Sequence, residues 1–394
     1  NIKFQRVGSG TSGNFAYSNS ASILFSDESG EGGYAWAYFA GSRAASSIDG
    51  DVFINPSNGW FTSLPRGSYD YMSILHEIGH AIGLDHPGAY NGGGTSYAMD
   101  AEYIQDSMQY TLMSYFDARN TGADHGGMYA STPLLHDIAA AQLLYGANMT
   151  TRTGNTTYGF NSNADRAAFH LNSSTQKAVF AIWDAGGIDT LDVSGYGQAQ
   201  TIDLHQESFS SVGGLKGNIA IARGAIIENA LGGAGNDSIQ GNVFNNILQG
   251  LGGDDKIFGD NGNDRLLGGS GNDVLNGGLG NDTMTGGFGL DAFVFSTALN
   301  AIQNVDHITD FYVPGDTIRL ENAVMTGLGT AIGFLAAAKF WTGIKAHDAD
   351  DRIIYDATTG SLSYDPDGTG AGTAVKFAIL DSKPPIAAND FYVI

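Results

Sequence analysis

The chain of 394 residues contains no cysteine, so neither disulfides nor a thiolate-bound metal can hold its fold together. Basic residues are also scarce, since 18 Lys and Arg stand against 41 Asp and Glu and give a formal net charge of −23. This charge argues against nucleic acid and anionic membranes as partners, and it makes divalent cations natural counter-ions. The sequence has no apolar run of about 18 residues and no basic-then-apolar N-terminal signal pattern. We therefore expect a soluble protein of two or three domains.

The segment His-Glu-Ile-Gly-His-Ala-Ile-Gly-Leu-Asp-His at residues 76–86 has the spacing of a catalytic zinc centre. His76 and His80 are four residues apart, so a helix presents both on one face, where Zn–N bonds of about 2.0–2.1 Å can meet. Gly83 can take a positive φ, end the helix and return His86 to the metal. Three neutral ligands leave one position for water, and Glu77 is placed to act as general base and then as general acid. We predict one catalytic Zn²⁺.

A nine-residue repeat begins at Gly232 and continues through seven units without insertion or deletion. Position six of the unit holds Asp237, Asn246, Asp255, Asp264, Asp273, Asp282 and Asp291. Position eight holds Ile239, Leu248, Ile257, Leu266, Leu275, Met284 and Phe293. This period predicts a parallel β-roll, in which a six-residue glycine-rich turn precedes a three-residue strand with one inward apolar side chain. A flexible glycine-rich linker is the alternative, but it explains neither the fixed register nor the apolar column.

The stacking of the roll predicts calcium sites. Two units form one coil of 18 residues, so units n and n+2 stack about 4.8 Å apart and bring their turn carboxylates together. These carboxylates would repel one another without a cation, and Ca²⁺ takes six or more oxygen ligands. We therefore expect several structural Ca²⁺ ions at the aspartates of position six. The expected pairs are 237/255, 246/264, 255/273, 264/282 and 273/291, of which only 246/264 lacks an aspartate on one side.

Downstream of the histidines, Thr111-Leu112-Met113-Ser114-Tyr115 resembles the turn of metzincin proteases in which a methionine, here Met113, underlies the zinc ligands. His86-Pro87, this turn and the glycine-aspartate repeats together resemble the serralysins, secreted bacterial metalloproteases of the metzincin clan. The resemblance covers nearly the whole chain. It implies that Tyr115 is an additional zinc ligand in the resting enzyme and that it swings away to stabilise the oxyanion.

The resemblance implies further sites. Ala35, Trp36, Ala37 and Tyr38 resemble the edge strand that binds an extended substrate above the zinc, although a purely structural strand is the alternative. A calcium-bound junction between domains is implied for Arg152, Gly154, Thr156, Asp184, Gly186, Asp189 and Glu228. After the repeats, Asp365-Pro366-Asp367-Gly368 is either one more calcium site or an ordinary turn.

The last five residues, from Asp390 to Ile394, resemble the export signal of substrates of a type I secretion apparatus. We therefore expect a secreted, extracellular monomer that acts on proteins or peptides, and the family also suggests a small proteinaceous inhibitor as a possible partner. Because the family has a helix before the first sheet and this chain begins almost at a strand, the sequence suggests a processed or truncated product.

The expected architecture is an α+β metzincin-like zinc protease domain followed by an all-β domain of parallel β-roll and β-sandwich. We assign residues 1–150 to the catalytic domain, 151–231 to the junction, 232–294 to the roll and 295–394 to the sandwich. Early strands are predicted at 2–7, 22–25, 35–39 and 52–54, and later ones at 317–320, 352–355, 361–364 and 374–379. Ser68 is the expected cap of the histidine helix, and Thr132 with Pro133 should begin a second helix that ends at Gly146.

Two other functions compete with the zinc endopeptidase. The chain could be a non-enzymatic calcium-binding adhesin or toxin module with a vestigial zinc site, or its zinc could act on a non-peptide ester or amide. The histidines outside residues 76–86 have no ligand spacing, and we interpret them as structural or surface residues. These are His125, His136, His170, His205, His307 and His347.

Overall fold

A computed structural model describes residues 23, 25–27, 35–38, 50–55, 61, 63–91 and 95–394. Its helices are α1 Tyr69–Ala81, α2 Tyr97–Asp100 and α3 Leu135–Tyr145. The strands before the repeats are β1 Phe25–Asp27, β2 Ala35–Ala37, β3 Val52–Ile54, β4 Thr157–Gly159, β5 Phe180–Ile182, β6 Thr190–Asp192, β7 Thr201–Asp203, β8 Phe209–Ser210, β9 Ile219–Ile221 and β10 Asn229–Leu231. The remaining strands are β11 Ser238–Asn242, β12 Ile247–Gly252, β13 Lys256–Asp260, β14 Arg265–Ser270, β15 Val274–Asn276, β16 Thr283–Phe288, β17 Ala292–Phe295, β18 Asp306–Ile308, β19 Thr317–Leu320, β20 Gly333–Phe334, β21 Phe340–Thr342, β22 Ile353–Asp356, β23 Ser361–Tyr364, β24 Val375–Leu380 and β25 Phe391–Val393.

The first part of the chain combines a small sheet with the histidine helix. The described strands of this sheet lie in the order β1-β3-β2, with β1 parallel and β2 antiparallel to β3. The prediction of β3 is confirmed, β1 and β2 overlap the strands predicted at 22–25 and 35–39, and the strand predicted at 2–7 lies outside the described residues. Ser68 caps α1 as expected, because its Oγ accepts a hydrogen bond from the N–H of Tyr71 at 3.2 Å.

The start of the second long helix differs from the prediction. Helix α3 begins at Leu135, and Asp137 supplies the cap by accepting a hydrogen bond from the N–H of Leu134 at 2.8 Å. Thr132 is instead bound to a β strand, since its Oγ1 accepts a hydrogen bond from the N–H of Ala181 at 2.9 Å. The carboxylate in the first turn therefore replaces the hydroxyl as the cap. The helix does end before Gly146, which has a φ of +77°, as predicted.

Two long sheets built mainly from parallel strands form the second part of the chain. One sheet has the order β21-β22-β23-β24-β18-β16-β14-β12-β10-β6-β4, and the other has the order β20-β25-β19-β17-β15-β13-β11-β7. Successive repeat strands alternate between the two sheets, so unit n pairs with unit n+2. Ile239 lies opposite Ile257 and Leu248 opposite Leu266, as the 18-residue coil requires. The parallel β-roll is therefore confirmed.

The apolar column of the repeats is the core between the two sheets. All seven residues of position eight are completely buried, from Ile239 to Phe293. Strand β15 has the predicted three residues, but β12, β14 and β16 have six each and extend into the glycine turns. Glycine allows this because neighbouring coils approach too closely for a side chain. At Gly280, for example, a Cβ would lie 1.6 Å from the carbonyl oxygen of Gly262.

The two sheets continue past the repeats into a sandwich. Strands β19 and β25 extend one sheet in parallel, whereas β22, β23 and β24 pair antiparallel in the other. Strands β19 and β23 match their predicted bounds, and β22 and β24 are each shifted by one residue toward the C-terminus. The α+β part followed by a roll and sandwich is the predicted fold class, which is confirmed. In the described ranges, we find no helix that combines the length and apolar character needed to span a bilayer.

Candidate metal centre

Helix α1 and the loop that follows it bring three imidazoles to one point. The Nε2 of His86 lies 3.2 Å from the Nε2 of His76 and 3.1 Å from that of His80. Gly83 makes this approach possible, since its φ of +96° turns the chain directly after the helix, as predicted. The three histidines form one of two groups in the described part of the chain that bring at least three metal-ligating side chains within 4.8 Å of one another.

Backbone carbonyls fix the orientation of all three rings. The Nδ1 of His76 donates to the carbonyl of Leu112 at 2.8 Å, that of His80 to Leu84 at 2.8 Å, and that of His86 to Tyr90 at 2.9 Å. A carbonyl only accepts, so the proton sits on Nδ1 and the lone pair of each Nε2 is directed toward the others. Burial is the main cause that lowers the pKa of all three, that of His76 to about 4, so the rings are neutral at pH 7.

This arrangement fits a zinc ion. Tetrahedral bonds of about 2.0–2.1 Å place two ligand nitrogens about 3.3 Å apart, close to the observed separations. Three lone pairs facing one another would repel without a cation between them. Neutral, backbone-oriented imidazoles are also the form in which histidine binds metals in proteins.

Glu77 lies in the same cleft as the histidines. Its side chain is buried, and burial raises the pKa of Glu77 from 4.5 to about 7. The cleft has a volume of about 340 Å³. It is lined by Ala35, Trp36, Ala37, His76, Glu77, His80, Asp85, His86, Gly88, Ala89, Tyr90, Asn91 and Tyr115. A carboxyl group that titrates near neutrality suits general acid–base chemistry.

The methionine turn lies directly beneath the histidine helix. Met113 is buried, and its Sδ would lie only 2.5 Å from a Cβ placed on Gly79, so a side chain there would displace the methionine. The ring of Tyr115 is 4.6 Å from that of His86 and 5.8 Å from that of His76. Met113 and Tyr115 therefore both lie beside the histidines, and the roles predicted for them stay predictions.

Strand β2 forms one wall of the cleft, and it is an edge of the small sheet within the described residues. Three of the four predicted substrate residues, Ala35, Trp36 and Ala37, line the cleft. Tyr38 does not, and its ring packs edge-on against Phe53 at 5.8 Å. The alternative of a purely structural strand therefore fits Tyr38 better than the other three residues.

Asp137 supports the methionine turn, a role that the sequence analysis did not predict. Its carboxylate accepts hydrogen bonds from the Oγ1 of Thr111 at 2.5 Å and from the N–H of Leu112 at 2.9 Å. Leu112 is the residue whose carbonyl orients His76. Burial raises the pKa of Asp137 to about 6. The only sequence signal was an acidic residue in the first turn of a helix, which is common at helix ends.

The position-six side chains form a continuous series of hydrogen bonds, which we call the acidic ladder. In each pair, the backbone N–H of one unit donates to the Oδ1 of the residue 18 positions later. The five predicted pairs have donor–acceptor distances of 2.7–2.9 Å. Two further pairs, 282/306 and 291/316, extend the ladder with Asp306 and Asp316.

Asp306 and Asp316 were missed because insertions lengthen these steps to 24 and 25 residues. The signal was nevertheless present, since Asp306-His-Ile308 and Asp316-Thr-Ile318 keep the aspartate and apolar spacing of the repeat.

The ladder carboxylates have the properties of cation ligands. The Oδ2 atoms of Asp255, Asp264, Asp273 and Asp282 are buried and accept no hydrogen bond from any described residue. Burial, and to a lesser extent the neighbouring carboxylates, raises the pKa of Asp255 to about 7 and that of Asp264 to about 8. Buried oxygens of this kind cost stability unless a cation or proton compensates them. The donor set therefore fits calcium.

The junction residues form the same kind of arrangement. Asp189 accepts a hydrogen bond from the N–H of Thr156 at 2.7 Å, and Glu228 accepts one from the N–H of Asp189 at 2.7 Å. The Oδ2 of Asp189 is buried without a partner in the described structure, and burial followed by Asp184 and Glu228 raises the pKa of Asp189 to about 7.

Other predicted junction ligands lie beside these acids. The Oγ1 of Thr156 donates to the carbonyl of Gly154, and the N–H of Gly186 donates to Asp184. The guanidinium of Arg152 is itself a cation and forms a salt bridge with Asp165 at 2.7 Å. Only the backbone carbonyl of Arg152 could therefore be a calcium ligand.

Two acidic loops near the C-terminus complete the candidate residues. Asp365 accepts hydrogen bonds from the N–H groups of Asp367 and Gly368, which is the pattern of the turn alternative. His347 is exposed, as interpreted from sequence, but it lies in the second group of potential ligands, with Asp348 and Asp351. The Oδ2 of Asp351 already accepts two backbone N–H bonds within that loop.

Asn246→Asp is expected to strengthen calcium binding at the weakest position of the ladder. Both polar atoms of the Asn246 side chain are bound to Asn242, so it offers no unpartnered oxygen. The aspartate adds a ligand, so the melting temperature should rise at saturating calcium and fall slightly without it.

Calcium titration with calorimetry on the full chain measures both effects. Asn263→Asp is the matched control, because it adds the same charge at an exposed position next to the ladder. Identical melting of Asn246→Asp and the parent at saturating calcium would contradict this role of position 246.

The fold and the three-histidine centre are those of a metzincin-type metal site joined to a β-roll, and comparisons identify the family. The family described as Peptidase M10 serralysin C terminal matches residues 147–349, and the Metallo-peptidase family M12B Reprolysin-like matches residues 10–125. The chain belongs to the serralysin family, as the sequence resemblance predicted.

Named relatives support this assignment. The chain is 50% identical over 205 residues to Serralysin B of Dickeya chrysanthemi, covering 52% of this chain and 42% of that protein. It is 46% identical over 248 residues to Metalloprotease AprA of Pseudomonas entomophila (strain L48), covering 61% and 50%. The chain thus spans about half the length of these relatives.

Among solved structures, the AlgE6R3 subunit of the Azotobacter vinelandii mannuronan C5-epimerase matches 40% of this chain and 77% of its own. The identity is 21% and the TM-score 0.20, too low to bear on the fold.

Proposed function

We propose that the chain is a secreted zinc endopeptidase that hydrolyses peptide bonds of extracellular proteins. One observation carries the proposal: three neutral imidazoles, each oriented by a backbone carbonyl, converge beside the buried Glu77, with the Nε2 of His86 within 3.2 Å of the other two. His76, His80 and His86 would hold the ion. When bound, zinc supplies Lewis acidity, which polarises the substrate carbonyl and acidifies water.

Glu77 is the proton carrier of the proposed reaction. Its carboxylate takes a proton from the attacking water and later delivers that proton to the leaving amine. Its raised pKa suits both steps, because the group accepts and releases a proton near neutral pH. Burial beside the histidines also limits the access of bulk water to the Glu77 carboxylate, so fewer solvent molecules exchange protons with it.

Tyr115 supports the oxyanion in this proposal. Its ring lies against His86 in the cleft, so a hydroxyl donor is available where negative charge develops on the substrate. An extended peptide would add to the edge of β2 along Ala35, Trp36 and Ala37, which orients the scissile bond over the histidines.

Calcium is the proposed structural cofactor of the second part. Several ions would bind along the acidic ladder and at the junction, with the unpartnered Oδ2 atoms of the ladder as ligands. We propose extracellular calcium as the trigger for folding after export by a type I apparatus. The net charge of −23 favours neither nucleic acid nor membrane as partner. We also propose that the chain acts as a monomer and that a small proteinaceous inhibitor is one of its partners.

Casein hydrolysis by the zinc- and calcium-loaded chain, combined with metal analysis, tests the proposal. We expect hydrolysis that a zinc chelator abolishes and that added zinc restores. A chain that binds calcium but neither binds zinc nor cleaves casein would be a non-enzymatic module. A chain that binds zinc but cleaves only small esters or amides would belong to the third class considered.

Tyr115→Phe is expected to lower kcat by on the order of 10²–10³, because the ring stays and one oxyanion donor is lost. Zinc should remain bound, since the three histidines are unchanged. Steady-state kinetics with a peptide substrate and zinc analysis measure both quantities. An unchanged kcat would reduce Tyr115 to a packing residue of the cleft.

A further inference from the structure

Asp106 is a fully buried acidic residue between α2 and the methionine turn, and it belongs to no predicted site. Its Oδ1 accepts two hydrogen bonds, from the hydroxyl of Tyr90 at 2.7 Å and from the hydroxyl of Ser114 at 2.6 Å. Its Oδ2 is buried and has no hydrogen-bond partner within the described residues. A buried carboxyl oxygen without a partner typically costs about 1–3 kcal/mol, so stability alone does not account for this residue.

The first hydrogen bond leads to the third histidine. The carbonyl of Tyr90 accepts a hydrogen bond from the Nδ1 of His86. The Tyr90 ring also stacks on the His86 ring, with a centroid distance of 5.6 Å and an interplanar angle of 18°. The hydroxyl of the same tyrosine donates to Asp106. Asp106 therefore fixes Tyr90, which orients His86 through both its carbonyl and its ring.

The second hydrogen bond leads to the tyrosine of the cleft. Ser114 directly precedes Tyr115, and its Oγ also accepts the N–H of Phe116 at 3.1 Å, so this hydroxyl fixes the backbone on either side of Tyr115. The Tyr115 ring packs against both His86 and Tyr90, with ring centroids 4.6 Å and 5.3 Å away. One carboxyl group thus joins the loop that carries His86 to the turn that carries Tyr115.

We propose that Asp106 is a positioning residue that sets His86 and Tyr115 relative to each other, through Tyr90 on one side and Ser114 on the other. This inference rests on the proposed function for its kinetic part. Its metal-binding part stands on the histidine site alone. Groups behind a metal ligand typically change metal affinity about 10–100-fold when removed.

The two hydrogen bonds predict two separable effects. Tyr90→Phe removes one hydroxyl but keeps the ring and carbonyl, so the dissociation constant for zinc should rise roughly tenfold. Ser114→Ala should lower kcat roughly 10–100-fold by misplacing Tyr115, with zinc affinity unchanged. Asp106→Ala should show both effects, and Asp106→Asn, which keeps an acceptor, should recover most of them.

Zinc affinity by chelator competition and kcat with a peptide substrate are the two measurements. Asp390→Asn is the control, because Asp390 is a buried, hydrogen-bonded carboxyl group far along the chain in the sandwich, and it should change neither quantity. The kinetic effect of Ser114→Ala should fall below about twofold in a Tyr115→Phe background, because both act on one donor.

Additive effects in that background, or a zinc affinity that Tyr90→Phe and Asp106→Ala leave unchanged, would overturn the proposal. If the chain has no peptidase activity, the proposed function fails, but the zinc measurements still decide whether Asp106 acts on His86.

Discussion

Glu77→Gln is expected to lower peptidase turnover by on the order of 10²–10⁴ while zinc stays bound. The amide keeps the size of the carboxylate but cannot take a proton from water at any pH near neutrality. Glu77 is not one of the three side chains whose Nε2 atoms converge, so the metal site itself should be unchanged. The loss should appear in kcat, because proton transfer belongs to the transition state rather than to substrate binding.

Steady-state kinetics and zinc analysis on the same sample check this result. His80→Ala is the comparison variant, since it removes a ligand and should lose both zinc and turnover. A Glu77→Gln protein that retained more than a few per cent of parental turnover would contradict the proposed mechanism. A zinc content as low as that of His80→Ala would instead make Glu77 part of the metal site.

The calcium-free chain is expected to lose stability between pH 5 and pH 8. In the folded state, burial raises the pKa of Asp255 to about 7 and that of Asp264 to about 8, above the unfolded value of about 3.9. Folding therefore favours the protonated groups, and their contribution is complete below the unfolded pKa and is lost as the pH rises through the folded pKa. Saturating calcium should reverse the trend, because it binds only the ionised carboxylates.

Thermal unfolding at pH 5, 6, 7 and 8, with and without calcium, measures this dependence. The His80→Ala background is useful here, because a calcium chelator would otherwise also remove zinc. Asp255→Asn and Asp264→Asn together should flatten the calcium-free curve and weaken the response to calcium. A calcium-free melting temperature that rises from pH 5 to pH 8 would show that these carboxylates are not the dominant titrating groups.

The sequence predicted those features that depend on local spacing. The helix carrying His76 and His80, its glycine exit at Gly83 and the return of His86 are consequences of residues within one short segment. The nine-residue period likewise fixes the pairing of units n and n+2, because each strand can bury its apolar residue in only one register. Neither inference needs information about distant parts of the chain.

Features that join distant segments were not predictable in this way. Asp106 contacts Tyr90 and Ser114, which are 16 and 8 residues away in loops without periodicity, and Asp137 reaches back 26 residues to Thr111. The prediction of Thr132 as the cap of α3 was wrong for a similar reason. Its hydroxyl instead accepts a hydrogen bond from the N–H of Ala181, which is distant in the sequence.

The acidic ladder has a direction along the chain, so its two ends are not equivalent. In every pair the N–H belongs to the earlier unit and the carboxylate to the later one. The ladder N–H groups of one coil are therefore satisfied only when the next coil is in place. The last two acceptors are Asp306 and Asp316, so the N–H groups of Asp282 and Asp291 depend on residues beyond the repeats for their hydrogen bonds. The sandwich therefore terminates the roll by supplying its last two acceptors. Without it, the backbone N–H groups of Asp282 and Asp291 would be buried donors without acceptors.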